Sequence, residues 1–189
     1  MMKRDECLQL LAARVRDEAI VATYQAAFDW MAIAPRDLNY VSIGAMGLAS
    51  SHGLGLALGR PDRRVIVLDG DGSLLMNLGA LATVAAAAPR NFVHLVCVNG
   101  VYEANGSHPL PGAERIDFAA IARGAGLADT GTIDTLEDFA AALPAILEAP
   151  GPIFRALRVV AGAPSKQDYA FIHGAATRAR FKAAFTASR

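Results

Sequence analysis

The stretch "VIVLDGDGSLLMNLG", residues 65–79, decides the fold. It opens with an apolar run rich in β-branched side chains, which is typical of a strand buried on both faces of a parallel sheet. Gly70 and Gly72 then place the carboxylate of Asp71 between two residues that have no side chain. The stretch therefore predicts a buried strand that presents one acidic group at its carboxyl end.

Strand-like and helix-like segments alternate on both sides of this stretch. Strands are predicted over residues 19–24, 40–43, 65–69 and 92–98, in a short segment ending at 133, and over 153–159. Helices are predicted over residues 7–16, 25–33, 48–58, 74–87, 117–124, 135–147 and 167–187. This alternation predicts one α/β domain over residues 1–189, a three-layer α/β/α arrangement with a mainly parallel central sheet.

Composition excludes several classes of protein. The 189 residues are 53% hydrophobic, with 18 Lys and Arg against 18 Asp and Glu, which argues against nucleic acid or an anionic membrane as the main partner. No apolar run approaches the roughly 20 residues of a membrane span, and the N-terminus lacks an apolar signal core, so we expect a cytoplasmic protein. The two cysteines, Cys7 and Cys97, form no disulfide framework, and Cys97 is expected to be a buried free thiol.

Three segments begin where predicted strands end: residues 44–47, 70–73 and 99–103. Because ligands of parallel sheets bind beyond the carboxyl ends of the strands, we expect all three on one rim. If their strands are neighbours, the side chains of Asp71 and Asn99 can share one ion. A carboxylate, an amide oxygen and a backbone carbonyl suit Mg²⁺ or Ca²⁺ and suit zinc poorly. One carboxylate does not neutralise a divalent cation, so a second anion such as a diphosphate is expected.

Two longer segments resemble those of thiamine diphosphate-dependent 2-oxoacid decarboxylases. "GDGSLLMNLGALATVAAAAPRNFVHLVCVNG", residues 70–100, resembles their cofactor motif of Gly-Asp-Gly, a spacer and Asn. "GAMGLASSHGLGLALG", residues 44–59, resembles the segment that precedes this motif. Over residues 41–112 the sequence is similar to the beta subunit of sulfopyruvate decarboxylase and to the second half of phosphonopyruvate decarboxylase. The resemblance implies the thiamine diphosphate-binding fold of the diphosphate-binding type.

The same resemblance implies roles for individual residues. Mg²⁺ would be held by the side chains of Asp71 and Asn99 and by the carbonyl of Val101. The Gly44 carbonyl would accept from the amino group of the cofactor's pyrimidine, and the Met46 side chain would hold the cofactor bent. The expected cofactor-binding residues are Gln25, Gly44, Met46, Gly70, Asp71, Gly72, Ser73, Asn99 and Val101. Those not already assigned would contact the diphosphate or let it approach the backbone.

The resemblance also implies that half of the catalytic site is elsewhere. Thiamine diphosphate catalysis needs a glutamate beside the pyrimidine, which this family carries on a pyrimidine-binding domain. No segment here resembles that domain, so we expect an alpha subunit that supplies the glutamate, in an α2β2 or larger assembly. The small residues of "ASSHGLGLALG", residues 49–59, would allow close helix packing in that interface. His108 and Glu103 are the candidate catalytic residues of this chain.

The expected reaction is decarboxylation of a sulfopyruvate- or phosphonopyruvate-like 2-oxoacid. The relatives have a Ser-Arg-Glu-like segment after the first strand, whereas this chain has "TYQAAFDWMAI", residues 23–33. We therefore predict no arginine from this segment beside a sulfonate or phosphonate group.

Four other functions fit parts of the pattern. A carboligase of the acetolactate synthase kind would use the same cofactor, and a non-catalytic regulatory subunit would keep its fold. A nicotinamide-binding module would need G-x-G-x-x-G, which Gly44, Gly47 and Gly53 do not form. A phosphatase would need an Asp-x-Asp pair followed by threonine or valine, but glycine and serine follow Asp71. The sequence therefore disfavours the last two.

Overall fold

The computed structural model describes residues 1–162 and 165–187, so the domain expected over 1–189 also covers four residues outside the described part. The strands are β1 (Met2–Lys3), β2 (Ala19–Ala22), β3 (Asn39–Tyr40), β4 (Val65–Gly70), β5 (Phe92–Val98), β6 (Val101–Tyr102), β7 (His108–Pro109), β8 (Asp129–Ile133) and β9 (Ile153–Val160). The helices are α1 (Arg4–Ala12), α2 (Tyr24–Ile33), α3 (Ala49–Gly59), α4 (Asp71–Leu75), α5 (Gly79–Ala87), α6 (Phe118–Gly124), α7 (Leu136–Glu148), α8 (Tyr169–Ile172) and α9 (Ala175–Thr186).

One sheet runs through the molecule in the order β3–β2–β4–β5–β9. Strands β1 and β8 both pair with the other edge of β9, at different ends of that strand. All of these pairs are parallel, whereas β6 and β7 form a separate antiparallel hairpin. Strands β4 and β5 are neighbours, with Gly70 opposite Cys97. The segments that follow these two strands therefore emerge side by side, as the sequence predicts.

Strand β4 shows why the sheet is covered on both faces. Val65 and Val67 belong to the core formed with α3, α5, α6 and α9, while Ile66 and Leu68 belong to the core formed with α1, α2 and α7. All four side chains are buried, as expected for an uninterrupted apolar run in a parallel sheet. The predicted three-layer α/β/α arrangement is confirmed.

The helix predicted over residues 74–87 is divided in two, because α4 ends at Leu75 and α5 begins at Gly79. Between them the N–H groups of Met76 and Asn77 bond to carbonyls only three residues earlier, which is 3₁₀ geometry. The apolar periodicity continues across this turn, so the sequence gives no local sign of the break.

The tail predicted as one helix over residues 167–187 is likewise two helices, α8 and α9, separated at His173 and Gly174. The Ile172 carbonyl at this break accepts from the Ser42 hydroxyl, a contact between distant segments.

Strand β1 is not predicted, because two residues are too short to show alternation.

Two helices begin at capping side chains, and the state of Cys97 agrees with the sequence expectation. Asp117 caps α6 by accepting from the Ala120 N–H, and Thr135 caps α7 by accepting from the Asp138 N–H. Cys97 is a buried free thiol, and burial raises its pKa to about 12, so it is a poor nucleophile.

Hydropathy along the helices bears on membrane insertion. Within residues 1–162 and 165–187, no helix has the length and apolar character needed to cross a bilayer.

The contact of α3 with the sheet gives a matched pair of substitutions. A Cβ at Gly53 would collide with Val67 and lie 3.1 Å from the Phe92 ring, so Gly53→Ala should lower the free energy of unfolding by about 1–3 kcal/mol. A Cβ at Gly55, on the exposed side of α3, would meet no atom within 4 Å. Gly55→Ala should therefore raise the free energy of unfolding by about 0.5–1 kcal/mol. Urea unfolding measures both, and equal stabilities would contradict the close packing at Gly53.

Candidate functional site

The carboxylate of Asp71 ties the end of β4 to the end of β5. Its Oδ2 accepts from the N–H groups of Asn99 at 2.9 Å and Gly100 at 2.7 Å. Its Oδ1 accepts from the Gly72 N–H at 2.8 Å. Burial raises the pKa of Asp71 above its usual range, and the three N–H groups oppose this rise by stabilising the charged form. The structure thus brings together the polar groups that follow these two strands.

The loop after β5 folds over the Gly-Asp-Gly turn as an ordered hairpin of β6 and β7. The side-chain oxygen of Asn99 accepts from the Val101 N–H at 3.0 Å, so the loop's own backbone positions this oxygen. The Tyr102 ring lies against Gly72, where a Cβ would be 2.5 Å from a ring carbon. Gly72 is therefore required for the close approach of this loop to the turn.

Residues 44–47 are held against α4 by two hydrogen bonds at Gly47. Its N–H donates to the Ser73 Oγ at 2.9 Å, and its carbonyl accepts from the Asn77 Nδ2 at 2.8 Å. Gly44 and Gly47 both have φ of +85°, the left-handed region that favours glycine. Ser73, expected at the diphosphate, therefore also positions the loop that carries Met46, and Asn77 is a positioning residue that the sequence did not indicate.

A cleft lies between these segments. The predicted site residues that line it are Gln25, Met46, Gly70, Asp71, Gly72, Ser73, Asn99, Val101 and Glu103. The rest of its wall is formed by Arg4, Thr23, Tyr24, Ala26, Asp69, Cys97, Tyr102 and Ala104. The structure therefore gathers most of the predicted residues around one space.

Gly44 and His108 are the predicted site residues that do not line this cleft. The Gly44 carbonyl accepts from the Tyr24 hydroxyl at 3.4 Å, and Gly44 lines a smaller adjoining pocket. Tyr24 itself has φ of +44°, which is uncommon for a residue with a side chain and is often associated with function. His108 is exposed and pairs with Tyr102 in the hairpin, so within this chain it does not reach the cleft.

Arg4 reaches the cleft from α1 and forms two buried ion pairs. Its Nε lies 2.6 Å from the Asp29 Oδ2, and its Nη1 contacts the Glu103 Oε2. The side chains of Arg4, Asp29 and Glu103 are 7%, 7% and 9% exposed. The other oxygen of Glu103 accepts from the Gly162 N–H at 3.0 Å. Both oxygens of this candidate catalytic residue therefore have partners within the chain.

Two further buried polar groups adjoin the cleft. The His94 Nε2 lies 3.2 Å from the Asp69 Oδ2, and neither side chain is more than 1% exposed. Thr23 lines the cleft, and its hydroxyl has no hydrogen-bond partner within residues 1–162 and 165–187. The sequence did not indicate His94 or Arg4, because their contacts join positions far apart in the chain. Thr23 directly follows β2, whereas the sequence predicted it inside a strand over residues 19–24.

The charges that line the cleft favour a cation. Among the described lining residues, the carboxylates of Asp69, Asp71 and Glu103 outnumber the one guanidinium, that of Arg4. In the described part of the chain, no group of three His, Cys, Asp or Glu side chains could hold a metal ion. A cation at Asp71 would therefore need amide and carbonyl oxygens as well, the donor set that suits Mg²⁺.

An anion beside such a cation would meet a hydrogen-bond donor and open space at the end of β4. The unpartnered Thr23 hydroxyl can donate to it, and a Cβ at Gly70 would meet no protein atom within 4 Å. The described residues thus fit a Mg²⁺ ion together with a diphosphate group.

Comparison with protein-family models matches residues 21–155 to the thiamine pyrophosphate enzyme, C-terminal TPP binding domain. Among curated proteins, the chain is 41% identical over 145 residues to phosphonopyruvate decarboxylase of Streptomyces viridochromogenes, covering 76% of this chain and 36% of that protein. It is 44% identical over 107 residues to sulfopyruvate decarboxylase subunit beta of Methanocaldococcus jannaschii, covering 57% of this chain and 56% of that protein. The chain thus spans about a third of the first relative and just over half of the second.

A solved structure supports the fold. Benzoylformate decarboxylase from Polynucleobacter necessarius superposes with a TM-score of 0.68 at 20% identity, covering 86% of this chain and 34% of that one. At this identity the likeness supports the α/β fold alone.

The bond between Ser73 and Gly47 gives a test of the loop arrangement. Ser73→Ala removes the acceptor of the Gly47 N–H, and a hydrogen bond of this kind contributes about 1 kcal/mol. Amide exchange at Gly47 should therefore be about fivefold faster in Ser73→Ala. Ser51→Ala, at an exposed position of α3, is the control and should leave this rate unchanged. An unchanged rate in Ser73→Ala, measured by hydrogen exchange, would contradict the role given to Ser73.

Proposed function

This chain belongs to the thiamine pyrophosphate enzymes, and we propose that it is the beta subunit of a thiamine diphosphate- and Mg²⁺-dependent decarboxylase of a 2-oxoacid. We further propose that it acts in the cytoplasm, that residues 1–189 form one domain, and that a pyrimidine-binding alpha subunit completes the catalytic site. The observation that carries the proposal is the junction at Asp71, where the polar groups after β4 and β5 meet at the edge of the cleft.

The proposed metal ligands are the side chains of Asp71 and Asn99 and the carbonyl of Val101. Asp71 brings the negative charge, and the backbone N–H groups that it accepts from hold its carboxylate in one orientation. The Asn99 oxygen and the Val101 N–H are already bonded to each other, so these two residues move as a unit. The loop is therefore arranged in advance for a cation, which lowers the cost of binding one.

The remaining cleft residues would hold the rest of the cofactor. Gln25, Gly70, Gly72, Ser73 and the unpartnered hydroxyl of Thr23 would surround the diphosphate. When bound, thiamine diphosphate supplies a cationic thiazolium that accepts the electron pair left as CO₂ departs. The Gly44 carbonyl would orient the pyrimidine amino group, and it can do so while still accepting from Tyr24 because a carbonyl oxygen has two lone pairs. Met46 would hold the cofactor bent.

The two candidate catalytic side chains would have different roles. Both oxygens of Glu103 have partners, which favours a positioning role over proton transfer. His108 is exposed on the hairpin, so it would reach the substrate only when the assembled partner covers this loop.

The substrate is proposed to be a 2-oxoacid of the kind named for the relatives, sulfopyruvate or phosphonopyruvate. The sequence predicted no arginine from residues 23–33, and the cleft arginine, Arg4, comes from α1 instead. Asp29 and Glu103 together outweigh the charge of Arg4. Among the described residues lining the cleft, no positive charge is left uncompensated, so the partner subunit would supply the group that binds the substrate's second anion.

An uncharged face supports the proposed partner. Residues 38–59 and 72–89, which include α3 and α5, contain no Asp, Glu, Lys or Arg. The outward side of α5 is formed by Gly79, Ala82, Thr83, Ala86 and Ala87, all exposed. Nearby Leu48, Leu58 and Met76 are 38%, 55% and 51% exposed. Exposed apolar surface of this extent is typical of a protein interface, and it continues from the loop that carries Met46.

Removing the charge of Asp71 tests the cofactor site. Asp71→Asn should weaken binding of thiamine diphosphate in the presence of Mg²⁺ by about a hundredfold, because one unit charge is lost from a buried cation site. Titration calorimetry, with and without the partner and with EDTA as a further arm, measures this affinity. Asp134→Asn, the same change at an exposed residue after β8, should leave the affinity unaltered. If Asp71→Asn binds thiamine diphosphate as tightly as the wild-type chain, and EDTA does not weaken that binding, the proposal is refuted.

A charge placed on the uncharged face tests the partner. Ala82→Glu puts a carboxylate on the outward side of α5 and should abolish assembly with a pyrimidine-binding chain, because burying an unpaired charge is costly. Ala141→Glu, at an exposed position of α7 on the other helix layer, is the matched control. Sedimentation of the co-expressed chains gives the assembly state. Normal assembly of Ala82→Glu would place the interface elsewhere.

A further inference from the structure

A buried ion-pair cluster joins the N-terminal helix to the loop that follows the metal motif. Arg4 on α1 pairs with Asp29 on α2 and with Glu103, directly after β6. Because the side chains of Arg4 and Glu103 are 7% and 9% exposed, solvent and salt screen their attraction only weakly. Arg4 lies outside residues 21–155, the part of the chain that matches the family model.

The Glu103 carboxylate links the loop that follows β5 to two other segments of the chain. It begins the 3₁₀ turn Glu103–Asn105, immediately after the strand that contains Val101. One of its oxygens contacts Arg4 and the other accepts from the Gly162 N–H. The end of β6 is therefore anchored by two groups that are distant in sequence, the guanidinium of Arg4 and the N–H of Gly162.

The geometry of Arg4 suits it to this task. Its Nε and Nη1 contact carboxylates on two different elements. The planar guanidinium uses a separate nitrogen for each carboxylate, whereas the single nitrogen of a lysine would have to serve both. Losing either contact would remove this ionic link between α2 and the turn that follows β6.

We propose that Arg4 is a positioning residue for the cofactor site: by holding Glu103, it keeps Asn99 and Val101 in place for Mg²⁺ and thiamine diphosphate. The identity of this ligand rests on the function proposed above, whereas the contact between Arg4 and the loop does not. Arg4 acts through Glu103, and it is not a catalytic residue.

Hydrogen exchange of the full chain tests the contact without any ligand. In Arg4→Met, the amides of Asn99, Gly100 and Val101 should exchange at least about tenfold faster, while amides of β4 change much less, because the loss is local to the loop. Arg64→Met is the matched control. Arg64 is a partly buried arginine that donates to the carbonyls of Ile146 and Ala149 at 2.9 and 2.7 Å. In Arg64→Met, the exchange rates of the loop amides should increase no more than those of other amides in the sheet.

Three further variants separate positioning from general stability. Glu103→Gln removes the ion pair from the other side and should speed exchange in the same loop amides as Arg4→Met. The double variant should be no faster than Arg4→Met alone, because the two residues act through one contact. Arg4→Lys keeps the positive charge and should fall between the wild-type chain and Arg4→Met.

Calorimetry on the same proteins measures the consequence for the site. The affinity for thiamine diphosphate with Mg²⁺ should fall about tenfold in Arg4→Met, less in Arg4→Lys and not at all in Arg64→Met. If the wild-type chain binds no cofactor, with or without a partner, the proposed function is refuted. The hydrogen-exchange experiment still tests the contact between Arg4 and the loop in that case. If the amides of Asn99, Gly100 and Val101 exchange no faster in Arg4→Met than in Arg64→Met, the inference is overturned. Should Arg4→Met not fold, unchanged loop exchange in both Glu103→Gln and Arg4→Lys overturns it as well.

Discussion

The site depends on one buried carboxylate that joins two neighbouring strands. Asp71 follows β4, and it accepts the N–H groups of Asn99 and Gly100, which follow β5. Burying a carboxylate is unfavourable unless it is hydrogen-bonded or paired with a cation. The N–H groups offset part of that cost, and the raised pKa of Asp71 indicates that part remains. The same feature that fixes the two loops therefore leaves a buried carboxylate whose remaining cost the proposed cation would offset.

The other walls of the cleft are held by contacts that meet at this junction. Gly72 allows Tyr102 to lie against the turn, while Ser73 and Asn77 bind the two sides of Gly47. Gly72 and Ser73, which are proposed to contact the cofactor, thus also fix neighbouring loops. A site built in this way is rigid before any ligand arrives, because each loop is held by more than one bond.

The sequence predicted the parts of this arrangement that depend on local pattern. The alternation of strands and helices predicted the three layers, and the Gly-Asp-Gly turn with Asn99 predicted that the segments after β4 and β5 meet, because parallel strands bring their carboxyl ends together. The sequence missed the break between α4 and α5 and the role of Arg4. Both depend on contacts between distant segments, from Asn77 to Gly47 and from Arg4 to Glu103. The hairpin after β5 was not predicted either, because its two-residue strands are too short to show a strand pattern.

The distribution of charge is a further argument that this chain functions in an assembly. The whole chain is 19% charged, so residues 38–59 and 72–89 would ordinarily carry several charged side chains each, yet they carry no Asp, Glu, Lys or Arg. Helix α9, on the same side of the sheet, is by contrast rich in exposed basic residues. A solvated helix gains solubility from charge at no cost in packing, so an uncharged outward face is best explained by another surface that covers it. That face begins at the loop of Met46, so a surface that covered it would lie beside the cleft, which supports the proposed site shared with a partner subunit.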